Sequence, residues 1–345
     1  MHKPKISICI PTFNRAKHLR NCLNSIIEIQ SFSKLEMEVC VSDNCSTDET
    51  QGIVFHAQKS IPIKYYRNQE NEGIPRNFLN VVNMASGEFA WLIGDDDLLL
   101  PKSLDNILKL LKDNPEADYF FINSYHLTTE YVLSFPQPFS TKDLPKDMAP
   151  FSSYKKSGEL PFLNLIDPKI SFDFLGGMFL AVFRRSKWQV NINVLDQSAI
   201  HDMNIFSHFD NTFPQIKIFS KAFANSKAYF HAEPLTVCLT GAREWSPMFP
   251  LINSVRFAEA LDEYRKNGLT FWQYIKCRNY ALSNFIPDMV NMIVHYKSSG
   301  FKYINPLRLI IKNCIYPNFY FSLVYFIIRK LRYTFGRVIN FLNKV

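Results

Sequence analysis

The sequence has few glycines and no glycine-rich phosphate-binding motif. Only 11 of its 345 residues are Gly, and neither G-x-x-x-x-G-K-[ST] nor G-x-G-x-x-G occurs. The first motif cradles nucleotide phosphates with backbone N–H groups, and the second binds dinucleotides at a helix N-terminus. Their absence argues against P-loop kinases and ordinary dinucleotide enzymes, so nucleotide phosphates would have to be held in another way.

The cysteine spacing and the apolar runs exclude other classes. The seven Cys form no C-x-x-C pair, which argues against the common zinc sites. Several stand in apolar runs such as ISICI, as buried thiols of a reducing compartment do. The N-terminus lacks the apolar core of a signal peptide, and no uncharged apolar run reaches the roughly 18 residues of a spanning helix. We therefore expect a cytoplasmic protein.

Acidic residues are missing from the last part of the chain. The net charge is +8, and the segment from Met289 onward contains nine Lys or Arg and no Asp or Glu. The preceding 288 residues hold 30 Lys or Arg against 31 Asp or Glu. The basicity thus belongs to the C-terminal segment, which predicts an anionic surface as its partner.

Hydrophobic periodicity over the first 125 residues alternates between strand and helix. Strands are predicted at 5–10, 38–42, 63–66, 88–93 and 118–122, and helices at 15–30, 47–59, 73–85 and 102–112. This alternation predicts an α/β fold with a mostly parallel sheet. Further on we predict a loop at 128–161, strands at 176–185, 217–219, 228–231 and 235–239, a helix at 197–209, and helices from 250 onward.

Polar side chains cluster after four of the predicted strands. The clusters span 11–15, 42–48, 67–77 and 94–97. Ligands of open α/β sheets bind outside the carboxyl ends of the strands. A single cluster is what helix capping alone produces, whereas four clusters at one edge predict a binding site.

Asp95, Asp96 and Asp97 are the sharpest feature of these clusters, since apolar residues flank them on both sides. Adjacent carboxylates repel one another unless a cation lies between them. Mn²⁺ and Mg²⁺ accept carboxylate oxygens and keep coordination positions for substrate phosphates. We predict such a divalent cation here, with an exposed acidic turn as the alternative.

Four motifs carry a resemblance to a known family. IPTFNR, VSDNCSTDET, NEGIPRNFL and WLIGDDDLLLP follow in this order, and with them the sequence resembles the family 2 glycosyltransferases, which have the GT-A fold. The resemblance covers residues 5 to about 125 well, and residues 175–245 more loosely. The second and fourth motifs are similar to those of O-antigen abequosyltransferase-type enzymes.

The resemblance implies which residues contact a nucleotide-sugar donor. They are Pro11, Thr12, Asn14, Arg15, Asp43, Asn44, Arg76, Asp95 and Asp96. Asp43 would accept hydrogen bonds from the base or the ribose. The D-x-D element of the family falls on Asp95 and Asp97, with Asp97 as the direct metal ligand. Gly94 stands where many members have a first Asp, which leaves open which carboxylate meets the ribose and which the metal.

The resemblance also implies an inverting reaction, which needs a general base to deprotonate the acceptor hydroxyl. In the family this base is an Asp at a helix start, after a strand that ends in Arg-Arg-Ser. Residues 184–186 match that strand end and imply Asp202 as the base, with His201 in place of the usual Glu. Asp196 is the second candidate and Asp210 the third, and an ordinary helix-start Asp is the alternative.

Arg243 and His231 are two further polar residues of the later segment. Arg243 lies where family members close over the donor phosphates, and it could clamp a diphosphate; a solvated loop arginine is the alternative. His231, inside an apolar segment, is more typical of a core histidine.

Residues 305–345 combine aromatic and aliphatic side chains with scattered Lys and Arg. This composition is typical of a segment that lies on anionic lipid, and a helical packing domain with a basic face is the alternative. Because the basic residues alternate with bulky aliphatics, we expect no nucleic-acid partner.

We therefore predict a GT-A domain at 1–248, with a nucleotide-binding half (1–125) and an acceptor half (126–248), and a helical basic region at 249–345. The predicted function is metal-dependent, inverting sugar transfer from a nucleotide-sugar to a lipid-linked saccharide acceptor of surface polysaccharide or O-antigen synthesis. It would take place on the inner face of the cytoplasmic membrane. A sugar-nucleotide nucleotidyltransferase normally opens with a glycine-rich loop, which residues 3–15 lack. Asp95, Asp97 and Asp202 argue against a non-catalytic sugar-binding relative.

Overall fold

The computed structural model of the chain describes residues 3–29, 36–172, 175–241 and 245–342, with side chains as far as residue 331. Its strands are β1 (Ile6–Thr12), β2 (Met37–Asp43), β3 (Ile63–Arg67), β4 (Phe89–Leu92), β5 (Leu98–Leu99), β6 (Ala117–Thr128), β7 (Gly158–Pro161), β8 (Ala181–Arg184) and β9 (Lys227–Thr240). Its helices are α1 (Ala16–Glu28), α2 (Thr50–Ala57), α3 (Ile74–Met84), α4 (Ser103–Asp113), α5 (Thr129–Leu133), α6 (Arg185–Asn191), α7 (Gln197–Ile200), α8 (Phe209–Thr212), α9 (Pro214–Ala222), α10 (Phe249–Leu251), α11 (Phe257–Lys266), α12 (Phe271–Ala281), α13 (Phe285–Val294), α14 (Pro306–Asn313) and α15 (Pro317–Leu342).

The strands form one mixed sheet in the order β3-β2-β1-β4-β8-β6-β9-β5, with β7 paired to β9. The first four strands are parallel neighbours, as the strand–helix alternation predicts. Beyond β4 the direction changes, because β8 lies antiparallel between β4 and β6. The parallel α/β half is thus confirmed, and the rest of the sheet is mixed.

Every residue of β1, β2 and β4 is buried. Parallel strands covered on both faces read as continuous apolar runs and not as an alternating pattern, which explains segments such as ISICI. Helix α3 packs on β1 and β2, and α1 packs on α2 and β5. These contacts fix the carboxyl ends of β1 and β2 relative to one another.

Several predicted elements of the second half were wrong. Residues 217–219 lie in helix α9, which begins at Pro214, a residue whose fixed φ favours the first helical turn. The predicted strands 228–231 and 235–239 are a single strand, β9. Of the predicted helix 197–209, only α7 and the first residue of α8 are helical. Between them Phe206 adopts a left-handed φ of 57°, which a continuous helix does not allow. The predicted loop at 128–161 contains α5 and β7.

The segment after residue 250 is helical, as predicted, and its first part packs into the core. Arg278 is buried, and its guanidinium donates to the carbonyl of Ala258 at 2.8 Å and to Oδ1 of Asn313 at 3.0 Å. Tyr316 and Phe319 are buried as well. Helix α14 and the first turn of α15 are therefore tied to α11 and α12.

Glu38 joins three chain segments at the amino-terminal edge of the sheet. Its carboxylate accepts hydrogen bonds from Ser7 Oγ at 2.6 Å and from the backbone N–H of Gly87 at 3.1 Å, and it pairs with Lys64 at 2.8 Å. Burial acts to raise its pKa, but the hydrogen bonds from Lys64, Ser7 and Ser86 prevail and lower the pKa of Glu38 to about 2.

Glu38→Gln is expected to destabilise the fold in a pH-dependent way. Lowering a pKa from 4.5 to about 2 corresponds to about 3 kcal/mol at neutral pH. Because the folded-state pKa is depressed, this stability is complete above about pH 4.5 and disappears as the pH falls toward about 2. Urea unfolding of both proteins at several pH values measures the difference. Glu116→Gln, at an exposed position, is the matched control, and a wild-type advantage that does not change with pH would refute the argument.

Candidate active site

The four polar clusters meet at the carboxyl edge of the parallel strands. In the register of the sheet, Thr12 pairs with Asp43, and Asp43 pairs with Arg67. β4 runs parallel to β1, and Ile93 extends that pairing by donating its N–H to the carbonyl of Cys9 at 3.0 Å. The turn 94–97 therefore follows at the same edge, where the sequence predicts a binding site.

The three consecutive aspartates are almost completely buried, with exposed fractions of 6%, 8% and 2% for Asp95, Asp96 and Asp97. Thr12 Oγ1 donates to Asp95 at 2.7 Å, and Arg15 Nη2 donates to Asp96 at 2.7 Å. Arg15 Nε lies 3.2 Å from Asp95 but without hydrogen-bond geometry. The guanidinium of Arg15 thus contacts two of the three carboxylates, and the burial of all three rules out the exposed acidic turn as a description of this segment.

Burial raises the pKa of Asp95 to about 7; Arg15 acts against this shift, and the neighbouring Asp96 adds to it. The ionised carboxylate is thus costly here as long as Arg15 is its main positive neighbour. A further cation at this edge would favour ionisation. The chemistry of the donor set, hard carboxylate oxygens with excess negative charge, fits Mn²⁺ or Mg²⁺.

The aspartates do not form a complete metal cage by themselves. Among the described residues, no group of three or more His, Cys, Asp or Glu side chains is arranged to hold a metal ion. Asp97 Oδ2 accepts the backbone N–H of Gly94 at 2.7 Å. A cation at this turn would therefore need oxygen ligands from a bound substrate, which is the usual situation for Mg²⁺ with phosphates.

Gly94 has a steric reason to be glycine. A Cβ at this position would lie 2.8 Å from Asp96 Oδ1 and 3.0 Å from Asp97 Oδ2. Any side chain would therefore displace the carboxylates that follow it.

Asp43 and Asn44 are engaged in holding the loops of this edge. Asp43 is fully buried and accepts from Ser46 N–H at 2.8 Å and from Tyr65 Oη at 2.7 Å. Asn44 donates to Asn71 Oδ1 at 2.7 Å. Contact of Asp43 with a base or ribose stays a prediction, since its carboxylate contacts protein donors in this structure.

Three other predicted donor-site residues surround these loops. Pro11 lies within β1, opposite Ser42 of β2. Asn14 has a left-handed φ of 52°, and its Oδ1 accepts the N–H of Thr47 at 2.7 Å, which joins the loop after β1 to the loop after β2. Arg76 lies in the first turn of α3 and pairs with Glu72 at 3.1 Å.

Asn77 belongs to the predicted cluster 67–77 but is absent from the residues predicted to contact the donor. It is buried, and its Nδ2 donates to the carbonyls of Thr12 at 3.2 Å and Ser42 at 3.1 Å. Its Oδ1 accepts from Ser42 Oγ at 2.6 Å. The side chain thus fastens α3 to the ends of β1 and β2. An amide on the buried side of an amphipathic helix was the available signal.

Asp202 lies in the loop between α7 and α8, and not at a helix start as predicted. It is half-buried and accepts from Ser207 Oγ at 2.5 Å and from Asn204 N–H at 2.9 Å. These hydrogen bonds lower its pKa, with that from Ser207 as the largest cause. The loop reaches the first half of the chain, because a Cβ on Gly73 would lie 3.5 Å from Met203 Sδ.

The second and third candidates for the general base, Asp196 and Asp210, both accept hydrogen bonds from neighbouring residues. Asp196 is exposed and caps α7, accepting from Ser198 N–H at 2.9 Å. Asp210 is buried, pairs with Lys217 at 2.6 Å and accepts the N–H of Asp196 at 2.7 Å.

Of the remaining two residues, the structure describes only His231. His231 is a half-buried residue of β9, opposite Ile122, and burial lowers its pKa. Arg243 lies outside the described residues.

Comparison with known proteins gives the family. The model of glycosyl transferase family 2 matches residues 7–158. The chain is 30% identical over 246 residues to abequosyltransferase RfbV of Salmonella typhimurium, covering 68% of this chain and 66% of that protein. It is 34% identical over 185 residues to the GalNAc(5)-diNAcBac-PP-undecaprenol beta-1,3-glucosyltransferase of Campylobacter jejuni, covering 53% and 52%. The chain thus spans between half and two thirds of the length of these relatives.

Solved structures share the fold at low identity. Residues 1–349 of TarS from S. aureus in complex with UDP superpose with a TM-score of 0.54 at 19% identity, covering 82% of this chain and 72% of that one. The mannosyltransferase PcManGT from Pyrobaculum calidifontis, in complex with GDP-Man and Mn²⁺, superposes with a TM-score of 0.52 at 14% identity. The match covers 94% of this chain and 87% of that one. This likeness supports the predicted GT-A fold of mixed α/β type. With the matched domain and the similarity to named transferases, the chain belongs to glycosyltransferase family 2.

Proposed function

We propose that this chain catalyses an inverting, metal-dependent transfer of a sugar from a nucleotide-sugar donor to a saccharide acceptor. The observation that carries the proposal is the buried turn Asp95–Asp97 at the carboxyl edge, where the guanidinium of Arg15 pairs with the carboxylates of Asp95 and Asp96. The similarity to an abequosyltransferase and to a glucosyltransferase supports sugar transfer. A nucleotidyltransferase and a non-catalytic relative remain the alternatives that the assay below separates.

Each part of the edge has a role in this reaction. Asp97, with Asp95, would hold Mn²⁺ or Mg²⁺, which when bound neutralises the donor diphosphate. Arg15 and Thr12 orient the neighbouring carboxylates. Asn14, Asn44 and Arg76 stand on the loops and the helix turn around the edge, where a nucleotide would bind. Arg243 is retained as a candidate phosphate clamp.

Asp202 is proposed as the general base. Its carboxylate would accept the proton of the acceptor hydroxyl as the hydroxyl oxygen attacks the anomeric carbon and the nucleoside diphosphate leaves on the opposite side. The hydrogen bonds from Ser207 and Asn204 fix its orientation and keep it ionised. Its loop adjoins Gly73, at the start of the helix that carries Arg76.

Incubation with labelled nucleotide-sugars and either divalent cation tests the reaction class. A transferase releases nucleoside diphosphate as the sugar is transferred, a nucleotidyltransferase exchanges pyrophosphate, and a non-catalytic relative does neither. A thermal-shift screen of nucleoside diphosphates with Mn²⁺ identifies the nucleobase of the donor. A ligand present at 100 times its Kd stabilises a protein by about 2.7 kcal/mol, which is enough to rank the nucleotides.

We propose a lipid-linked saccharide as the acceptor and the inner face of the cytoplasmic membrane as the place of reaction. The Campylobacter relative acts, by its name, on a saccharide linked to undecaprenol through PP. No helix within the described ranges is long and apolar enough to span a bilayer. Attachment would instead use the surface of α15.

Helix α15 exposes an apolar surface beyond its first turn. Eight apolar side chains there are each at least 38% exposed: Tyr320, Phe321, Leu323, Val324, Tyr325, Ile327, Ile328 and Leu331. Arg329 and Lys330 lie between Ile328 and Leu331 and are exposed as well. Contiguous apolar surface with basic neighbours is what an anionic lipid surface binds.

Full-length protein is expected to cosediment with anionic vesicles, and Phe321→Gln/Val324→Gln/Ile328→Gln to stay in the supernatant. Burial of an apolar side chain contributes about 1.5–3 kcal/mol, so three losses should weaken binding by more than about 100-fold. High salt should release wild type only in part, because it screens the charges but does not weaken apolar burial.

Phe55→Gln/Val190→Gln removes exposed apolar side chains from α2 and α6 and is the control. Wild-type protein that stays in the supernatant at low salt would contradict the proposed attachment. Unchanged nucleotide binding by the triple variant shows that its fold is intact.

A further inference from the structure

We propose that a groove at the start of α15 binds the phosphate-bearing headgroup of a lipid whose chain lies along the apolar surface of that helix. The inference rests on the proposed function, of which the groove would be the acceptor-headgroup site. The cavity has a volume of about 360 Å³ and is lined by Pro168, Lys169, Lys276, Asn279, Tyr280 and Asn318. None of these residues belongs to the edge that carries the aspartates.

The charged residues of the groove suit a phosphate. Lys276 Nζ contacts both carboxylate oxygens of Asp167 at 2.7 Å, which holds the ammonium at the rim. The same carboxylate accepts the backbone N–H of Lys169 at 2.9 Å, which fixes the turn that carries the second lysine. Two lysines against one carboxylate leave one net positive charge, and both lysines remain accessible to a ligand.

The other walls are amide and aromatic. Asn279 Oδ1 accepts the backbone N–H of Asn318 at 2.9 Å, so the start of α15 is fastened to α12. Tyr280 is 47% exposed, and its ring lies 5.0 Å from that of Phe172. This pair gives the groove an apolar side next to its cationic one.

The position of the groove on α15 determines the kind of ligand. Asn318 lines the groove, and Phe321, three residues later, is 66% exposed at the beginning of the apolar surface. Three residues of helix rise by about 4.5 Å. A molecule with its phosphate between the lysines would therefore bring an attached hydrocarbon chain directly onto Phe321 and Val324. A free phosphate would make no use of that juxtaposition.

Vesicle binding by the full chain, without any nucleotide-sugar, tests the proposal. The probe is a phosphatidylcholine vesicle that contains a small fraction of a long-chain polyprenyl diphosphate. The comparison vesicle is phosphatidylcholine with enough phosphatidylglycerol to carry the same total negative charge. Wild type should prefer the diphosphate vesicles. The affinity of Lys169→Gln/Lys276→Gln for the diphosphate vesicles should be lower by about tenfold or more. A hydrogen bond to a charged group contributes more than the roughly 1.4 kcal/mol that corresponds to a tenfold change.

Two further variants sharpen the result. Lys109→Gln/Lys112→Gln removes two exposed charges from α4 and should bind like wild type. Asp167→Asn removes the counter-charge of Lys276 and should tighten binding to the diphosphate vesicles. This opposite sign separates a headgroup site from a fold that the lysine substitutions have merely damaged.

Three outcomes overturn the proposal: equal loss on both kinds of vesicle, no loss on either, or a wild type that binds free inorganic pyrophosphate as tightly as the lipid. The first would leave a general anionic surface and the last a site for free phosphate. Selective vesicle binding by a protein without transferase activity would refute only the proposed function. Sugar transfer by a wild type that shows no vesicle preference would refute only the groove.

Discussion

Asp97→Asn should abolish sugar transfer and remove the effect of Mn²⁺ on nucleotide binding. The amide oxygen of the new side chain can still accept the N–H of Gly94, which Asp97 Oδ2 accepts at 2.7 Å. The substitution therefore removes charge while it preserves the turn. Loss of one electrostatic contact to the developing charge costs about 10²–10³-fold in rate, and loss of the metal would add to that.

The measurement is nucleoside diphosphate release, together with nucleotide titrations with and without Mn²⁺. Asp113→Asn, at the exposed end of α4, changes the same charge away from the edge and should behave as wild type. Turnover that survives in Asp97→Asn, or wild-type activity in excess chelator, would disprove the metal's role. A variant with lost activity but unchanged metal dependence of binding would assign the metal to Asp95.

The parallel half of the fold was predictable because its signal is local. β1, β2 and β4 are short, fully buried strands, and strands alternate with helices along the chain, so the parallel direction follows from chain connectivity. The polar clusters could be placed at one edge for the same reason. That placement is confirmed by the register of Thr12, Asp43 and Arg67.

The second half was less predictable because its structure depends on contacts distant in sequence. Residues 217–219 carry two apolar side chains that suit a strand, yet they form a helix whose Ile218 and Phe219 are buried. Phe206 adopts its left-handed φ while its side chain is buried and its carbonyl accepts from Arg256 at 2.8 Å. A single sequence contains no signal for a partner 50 residues away.

For the site as well, the sequence identified residues but not their surroundings. The aspartates were identifiable from their adjacency, but their burial and the steric demand at Gly94 depend on packing. Likewise, Asp43 could be singled out as the residue ending a strand. The partners that engage its carboxylate, Ser46 and Tyr65, come from a turn and from a neighbouring strand.

Asp202→Asn should reduce the rate by about 10²–10⁴-fold, the usual contribution of a general base, while donor affinity stays unchanged. The amide preserves the shape: its oxygen can still accept from Asn204, and its NH2 can donate to Ser207 Oγ, but it cannot take up the proton. Asp196→Asn, at the exposed cap of α7, is the matched control. If that variant is inactive and Asp202→Asn is nearly as fast as wild type, then Asp196 is the base.

The pH profile gives a second test, because a base works only in its ionised form. The hydrogen bonds from Ser207 and Asn204 lower the pKa of Asp202 below its ordinary value of 3.8. With saturating divalent cation to keep Asp95 ionised, the acid limb of kcat/KM, where the rate falls as the pH decreases through the pKa of Asp202, should therefore lie below about pH 3.8. Rates at neutral pH should hardly depend on pH through this group.

Ser207→Ala should move the acid limb of the profile to higher pH. Ser207 Oγ donates to Asp202 Oδ2 at 2.5 Å and is the largest cause of the lowered pKa, so its loss makes the carboxylate easier to protonate. Asp196 takes its hydrogen bonds from Ser198 instead. Ser198→Ala is therefore the matched variant, and it should leave the profile in place. An acid limb that moves with Ser198→Ala and not with Ser207→Ala would transfer the role of base to Asp196, because each serine acts on only one of the two carboxylates.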